Sequence, residues 1–384
     1  MLVLIRTFIL FTLLLLLPDW YIYKVYVKGL KSSIAPKLLW WPTIALLAAL
    51  LAFVCMGEVY HEYFGLYLVI VMAIAIPKAI FILFDLLLKG FRRITNWKIP
   101  QGKISTLTAI ATSVYIIYGA TEGKQHFQVK EVTFSSADLP EAFDGYRILQ
   151  LSDIHSGSWK GQSEPLQEAI KLCLDQHADL AVFTGDMVNS RSAELEEFIP
   201  IYSQLTAPDG VFSILGNHDY GLYIQWEHDS LRLADVDKLI ANQNAMGWKM
   251  LNNEHHIIHR GNDSIALIGV ENSGRPPFPD YADLQEASQG TDGMFKVLLS
   301  HDPTHWRREV LPTTDIQLML AGHTHDMQLS FFGLSLSSLF YPEHNGMYYK
   351  GHRGLYVNIG LGHILFPLRL GAWPEITVIT LKKK

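Results

Sequence analysis

Hydrophobic and polar positions divide the chain into two unlike parts, 1–122 and 123–384. The first part holds nearly all the long uninterrupted apolar runs. Leu2–Leu17 is apolar except for Arg6 and two threonines, and Pro18 is expected to end it. No small-x-small cleavage site follows, so it reads as a retained span, with Asp19-Trp20-Tyr21 as an interface anchor. Leu38–Met56 and Tyr63–Leu88, the latter expected to break at Pro77, satisfy the roughly 20 apolar residues that a crossing needs. Ile104–Gly119 is shorter and carries five Ser/Thr hydroxyls; it is read as a fourth span, with a helix lying on the membrane as the alternative. Lys78 and Asp85 are seven apart on one helical face, too far to pair, and Asp85 is placed to snorkel from the span's end.

From His126 the pattern becomes that of a soluble α/β domain. Phe127–Phe134 alternates like an edge strand, and Arg147–Ser152, Asp179–Thr184 and Gly210–Leu215 read as buried strands. Ser163–His177, with Ser163 as N-cap, and Ala193–Leu205 have helical spacing, as does a stretch near Ser230–Met246. Strand–helix alternation predicts a parallel sheet. Lys249–Asn252, His255–Arg260, Ser264–Val270, Phe295–Leu299, Asp315–Leu320, Leu355–Ile359 and Glu375–Leu381 supply a second set of strands, with a turn at Gly261-Asn262-Asp263. The expected architecture is two sheets packed face to face with helices outside. The apolar segment Leu329–Tyr349 reads as a core hairpin; exposed beside a site, it would instead make a lipid-facing lip.

Five polar clusters punctuate this domain, most of them directly after an apolar run. They are Asp153-Ile154-His155, Thr184-Gly185-Asp186, Gly216-Asn217-His218-Asp219, Ser300-His301-Asp302 and Gly322-His323-Thr324-His325. Ligand sites of open α/β sheets lie outside the carboxyl ends of strands. In extended backbone Asp153 and His155 would leave one face together and could grip one ion. Singly, each cluster has a plain alternative as a cap, turn or loop residue. In this order they resemble the calcineurin-like metallophosphoesterases, whose pattern is D-x-H, G-D, G-N-H-D, H and G-H-x-H. The resemblance covers Gly145 to the C-terminus and departs after the last histidine, where Asp326-Met327-Gln328 replaces the usual two glycines and glutamine.

The resemblance implies a four-layer α/β/β/α sandwich and two divalent ions. Carried over by position, it puts Asp153, His155 and His325 on one ion, Asn217, His301 and His323 on the other, and Asp186 between them. Two carboxylates against two dications leave a charge of roughly +2, which favours an anionic phosphate and acidifies bound water. Without thiolates the set suits manganese, iron or zinc, manganese being favoured. His218 is left to protonate the leaving group, with Asp219 orienting its ring. His255, His256 and His259 lie in a hairpin; His363 is a weaker candidate for the site, and Arg369 reads as a surface salt-bridge residue.

Composition narrows the picture. A formal net charge of −6 over 384 residues argues against general nucleic-acid affinity. Cys55 and Cys173 have no zinc-finger partners and read as small buried hydrophobes. The expected protein is a membrane-anchored hydrolase of a phosphate or pyrophosphate ester at the bilayer surface. The alternatives are a soluble ester as substrate, a catalytically silent receptor or scaffold keeping the fold, and a transporter with an appended domain. Basic residues fill the first loop (Lys24, Lys28, Lys31, Lys37) and the third (Lys89, Arg92, Arg93, Lys98, Lys103), while Glu58 and Glu62 occupy the second. Loops one and three are therefore expected inside, and a fourth span would place the catalytic domain on the extracytoplasmic side.

Overall fold

The computed structural model describes residues 2–56 and 61–384; Glu58 and the side chains of Cys55 and Glu62 lie outside what is described. Its contacts divide into two units, Met1–Gly123 with Leu365–Leu368, and Lys124–Ile364 with Arg369–Lys384.

Among the described residues the first unit contains four long α-helices, α1 (Leu2–Ile22), α2 (Ala35–Met56), α3 (His61–Thr95) and α4 (Gln101–Thr121). All four are long and apolar enough to cross a membrane. Neither Pro18 nor Pro77 ends its helix, contrary to expectation. A proline removes one N–H bond, whereas a break in apolar surroundings exposes several backbone groups with no water to receive them. After Ile22 the first helix widens into a π-turn over Tyr23–Val27. Polar side chains inside the bundle find one another. Lys78 Nζ lies 2.6 Å from Asp19 Oδ1 and 3.2 Å from Thr43 Oγ1. Asp85 accepts from Tyr21 Oη at 2.8 Å, from Gln101 Nε2 at 2.8 Å and from Tyr26. Both aspartates are fully buried. Asp19 is thus no interface anchor, and Asp85 does not snorkel, because each has donors close by.

The second unit is built on fourteen strands: β1 (Gln128–Ser136), β2 (Arg147–Leu151), β3 (Leu180–Phe183), β4 (Val211–Ser213), β5 (Trp248–Met250), β6 (Glu254–Arg260), β7 (Asp263–Gly269), β8 (Phe295–Leu299), β9 (Leu318–Ala321), β10 (Ser330–Phe331), β11 (Leu334–Ser335), β12 (Gly346–Lys350), β13 (Arg353–Val357) and β14 (Glu375–Lys383). Twelve of them form two six-stranded sheets, ordered β1-β14-β2-β3-β4-β5 and β12-β13-β9-β8-β7-β6. Each has a parallel centre, β2 to β5 and β13-β9-β8-β7. Antiparallel pairs join β14 to β2 in the first sheet and form the outer pairs β12/β13 and β6/β7 in the second.

The period of two along each strand makes the layers. Ile148, Leu180 and Val182 of the first sheet meet Leu267, Val297 and Leu320 of the second in the central core. Leu149, Leu151 and Phe183 turn outward onto helix α5 (Ser163–Leu174), through Leu166, Ile170 and Cys173. On the far side Ile268, Leu298 and Met319 pack under Trp306 and Val310. The result is the expected α/β/β/α order. Two helical expectations shift. Ser163 is the first helical residue of α5 rather than its cap. Ala193–Leu205 is a 3-10 turn, Ser192–Phe198, followed by the short helix Ile199–Tyr202. There Glu194 accepts backbone N–H bonds from Asn189, Ser190 and Arg191, and Pro200 restarts the helix.

Candidate metal centre

All five clusters follow carboxyl ends, of β2, β3 and β4 in one sheet and of β8 and β9 in the other. Asp153 and His155 converge, but not by extended backbone. Their φ values are 51° and 50°, and Asp186, His323 and His325 are also left-handed at 62°, 75° and 49°. A non-glycine residue there is strained, and such strain gathers at functional sites. Two glycines admit the close approach. A Cβ on Gly216 would strike the Asp186 carboxylate, and one on Gly322 would strike Ser152 Oγ and Asp153 Oδ2.

The side chains gather into two groups, Asp153-His155-His325 and Asp186-His301-His323, with ligand atoms in each within 4.8 Å of one another. In the first, His155 Nε2 is 3.0 Å from His325 Nε2, which is 3.3 Å from Asp153 Oδ1. In the second, His301 Nε2 is 3.1 Å from Asp186 Oδ2, 3.2 Å from Asn217 Oδ1 and 3.3 Å from His323 Nδ1. Asp186 Oδ2 also lies 3.7 Å from His155 Nε2, so one carboxylate oxygen faces both groups.

The far sides of the rings are anchored. His301 Nδ1 is 2.7 Å from the Thr184 carbonyl, so its N–H donates there and Nε2 faces the cluster. His323 Nε2 is 2.8 Å from Tyr341 Oη, leaving Nδ1 inward. Asn217 Nδ2 donates to Tyr223 Oη at 2.7 Å, which turns Oδ1 toward His301. Such outer partners fix the tautomer and orientation of metal ligands.

Charge agrees with geometry. Burial pushes His155, His323 and His325 below the ordinary histidine range, and Arg369 adds to this at His325. His155 and His325 bring their Nε2 atoms within 3.0 Å of each other beside the Asp153 and Asp186 carboxylates, a gathering of ring nitrogens and carboxylates that suits a cation. Burial opposes protonation of His301 as well, but Asp186 beside it prevails and raises it to about 10. Burial alone would raise Asp153; His325 and His301 hold it well below the usual carboxylate range. The donor set fits two divalent ions.

His218 stands beside the cluster, its ring centroid 4.9 Å from that of His155. Its Nδ1 is 2.8 Å from the Asn189 carbonyl, and its backbone N–H donates to Asp186 Oδ1 at 2.8 Å. Asp219 does not orient this ring. Its carboxylate accepts from the backbone N–H groups of Asp186, Met187, Val188 and Gly216, tying the second and third clusters together. Arg369 is fully buried rather than a surface residue. It donates to the carbonyls of Gly362, Ala372 and Ile359, and Nη2 lies 3.0 Å from His325 Nδ1. His363 is buried against Trp159, outside both ligand groups. Tyr223, Tyr341 and Asn189 escaped the sequence reading, since a tyrosine or a backbone carbonyl has no ligand spacing to betray it.

A two-sheet α/β sandwich with this cluster at its strand ends defines a metal-dependent hydrolase. Residues 146–327 match the family described as calcineurin-like phosphoesterase. Residues 5–124 match a probable calcineurin-like phosphoesterase transmembrane domain. An uncharacterized metallophosphoesterase of Bacillus subtilis is 34% identical over 302 residues, 76% of this chain and 99% of the relative. A transmembrane protein with metallophosphoesterase domain from Danio rerio is 31% identical over 289 residues; the match takes in 73% of this chain and 63% of the fish protein's length. The chain belongs to the calcineurin-like metallophosphoesterase family, and it is a membrane protein.

Proposed function

We propose that the chain hydrolyses a phosphate or pyrophosphate ester presented at the bilayer surface. Its division of labour would be a membrane domain, 1–122, and a catalytic domain, 123–384. The observation that carries the reading is the Asp186 oxygen facing His155 at 3.7 Å and His301 at 3.1 Å. Asp153, His155 and His325 would hold one ion, Asn217, His301 and His323 the other, and Asp186 both. A pair of divalent ions held there, manganese favoured, would supply Lewis-acid polarisation of the phosphoryl group and a water acidified toward neutral pH.

The remaining work falls to the chain. The histidine and aspartate set would fix where two dications sit, and its two carboxylates would leave them an excess charge of roughly +2 to receive the phosphate. His218, with Nδ1–H donated to Asn189, directs Nε2 outward and passes a proton to the departing alkoxide. Asp219 keeps the loops bearing Asp186 and Asn217 in register.

Asp186→Asn should bind fewer than two ions and lose hydrolysis of bis-p-nitrophenyl phosphate, p-nitrophenyl phosphate and lipid pyrophosphates alike. A full two-ion complement in that variant, by metal analysis, would sink the bridging role. The catalytic domain is proposed to face the extracytoplasmic side, as four crossings and basic first and third loops imply. A periplasm-active alkaline phosphatase fused after Gln125 should be active, and one after Trp97 inactive; an expressed but silent Gln125 fusion would reverse the placement.

A further inference from the structure

The segment expected as a core hairpin is neither packed nor regular. β10 and β11 pair over only two residues each, and a 3-10 turn, Leu336–Leu339, follows. Phe332 is 105% exposed, Leu334 77%, Leu336 60%, Leu339 74% and Phe340 59%. From 329 to 341 the sequence is LSFFGLSLSSLFY, without a charged residue. Phe332 at the tip is also left-handed, with φ 54°, a conformation that a bulky side chain adopts only at some cost. Soluble surfaces seldom display contiguous apolar side chains of this kind, and such patches mark interaction sites.

The ridge has a fixed relation to the metal centre. Tyr341, the residue after Phe340, bonds His323 at 2.8 Å, and Ser335 Oγ donates to the Asp326 carbonyl at 2.8 Å, one residue from His325. The chain is held in a bilayer by its own helices, so acyl surface is present at high effective concentration whichever leaflet the domain faces. A charge-free ridge with aromatic and leucine tips suits hydrocarbon at the headgroup boundary and offers no group to steer a charged protein partner.

We propose that the ridge 329–341 enters the acyl region of the membrane in which the chain is anchored, bringing the metal centre to the headgroup layer. The inference goes beyond the hydrolase reading and, for its consequence on substrate presentation, rests on it.

The test uses the full chain in phosphatidylcholine/phosphatidylglycerol nanodiscs, with Cys55→Ala and Cys173→Ala. A nitroxide is attached at Phe332→Cys or, as a control on the same domain, at Leu231→Cys, which is 47% exposed on the helix Asp229–Ala245. Position 332 should favour collisions with oxygen over those with a nickel chelate, and position 231 the reverse. Equal chelate accessibility at the two positions would overturn the proposal. Immobilisation at 332 that scales with protein concentration would assign the ridge to a second copy and overturn it too. In a second arm, Phe332→Ser/Leu339→Ser should raise KM for a lipid phosphate in nanodiscs about tenfold, leaving a soluble nitrophenyl ester untouched. Insertion at 332 in a chain that hydrolyses no ester would leave the ridge standing and remove the hydrolase reading. Hydrolysis without insertion would do the opposite.

Discussion

Two regions of this molecule bury aspartates beside polar partners, and they end in opposite states. In the helical unit the two buried aspartates meet donors: Asp19 has Lys78 and Thr43, and Asp85 has two tyrosines and Gln101. In the sandwich, carboxylates and ring nitrogens from separate loops crowd together, as His155 meets His325 at 3.0 Å and Asp186 meets His301 at 3.1 Å. The first arrangement is satisfied by its own donors; the second gathers the ligand atoms that two divalent ions need. Burial of an acid therefore does not mark a metal site. What marks it is a set of ligand atoms turned inward by hydrogen-bond partners behind them, as the Thr184 carbonyl does for His301 and Tyr223 for Asn217.

Substitutions can break that contrast. His218→Asn should retain both ions yet slow hydrolysis of an ester with a poor leaving group about 10²–10⁴-fold, the usual worth of general acid catalysis. An activated nitrophenyl ester should suffer less, and equal losses on the two would remove the role. Lys78→Met leaves Asp19 buried without its cation, a change that typically costs about 3–5 kcal/mol. Thermal unfolding in detergent should detect it, with metal content unaltered; loss of metal there would mean that the two regions are not independent. Tyr341→Phe removes the oxygen behind His323 and should weaken metal affinity about 10–100-fold, readable by titration with a chelator.

The smallest effect concerns acid. Burial lowers His363 from 6.5 to about 3. Its folded value lies below the unfolded one, so stability is intact above pH 6.5 and falls as pH drops toward 3. One unit below its unfolded value the loss is about 1.4 kcal/mol. His363→Gln should lessen the acid sensitivity of the melting temperature between those limits; an unchanged slope would show that His363 is not its source.

Much of the site was legible because ligand type and order survive in the sequence. The seven candidate ligands do converge, and Phe295–Leu299 is a strand over the expected residues. Other features depend on partners that are distant in the chain. Asp19 lies 59 residues from Lys78, and no local pattern joins them. The left-handed φ of Asp153 or His325 has no glycine to announce it. Adjacency in sequence pairs Asp219 with the His218 ring, whereas backbone N–H groups 31 to 33 residues earlier, at Asp186 to Val188, claim its carboxylate along with Gly216. The ridge was legible as apolar but not as exposed, since composition does not say which side of a sheet a hairpin leaves.

Five candidate ligands in left-handed backbone, with ring nitrogens facing one another, tie the fold to its supply of metal. Ions that bind the folded chain and not the unfolded one add RT ln(1 + [M]/Kd) to its stability, about 2.7 kcal/mol when free metal exceeds Kd a hundredfold. In a cell short of metal the same chain stands closer to its unfolding threshold and becomes a better target for proteolysis. Its abundance, and not only its turnover, would then follow the metal status of the compartment it faces.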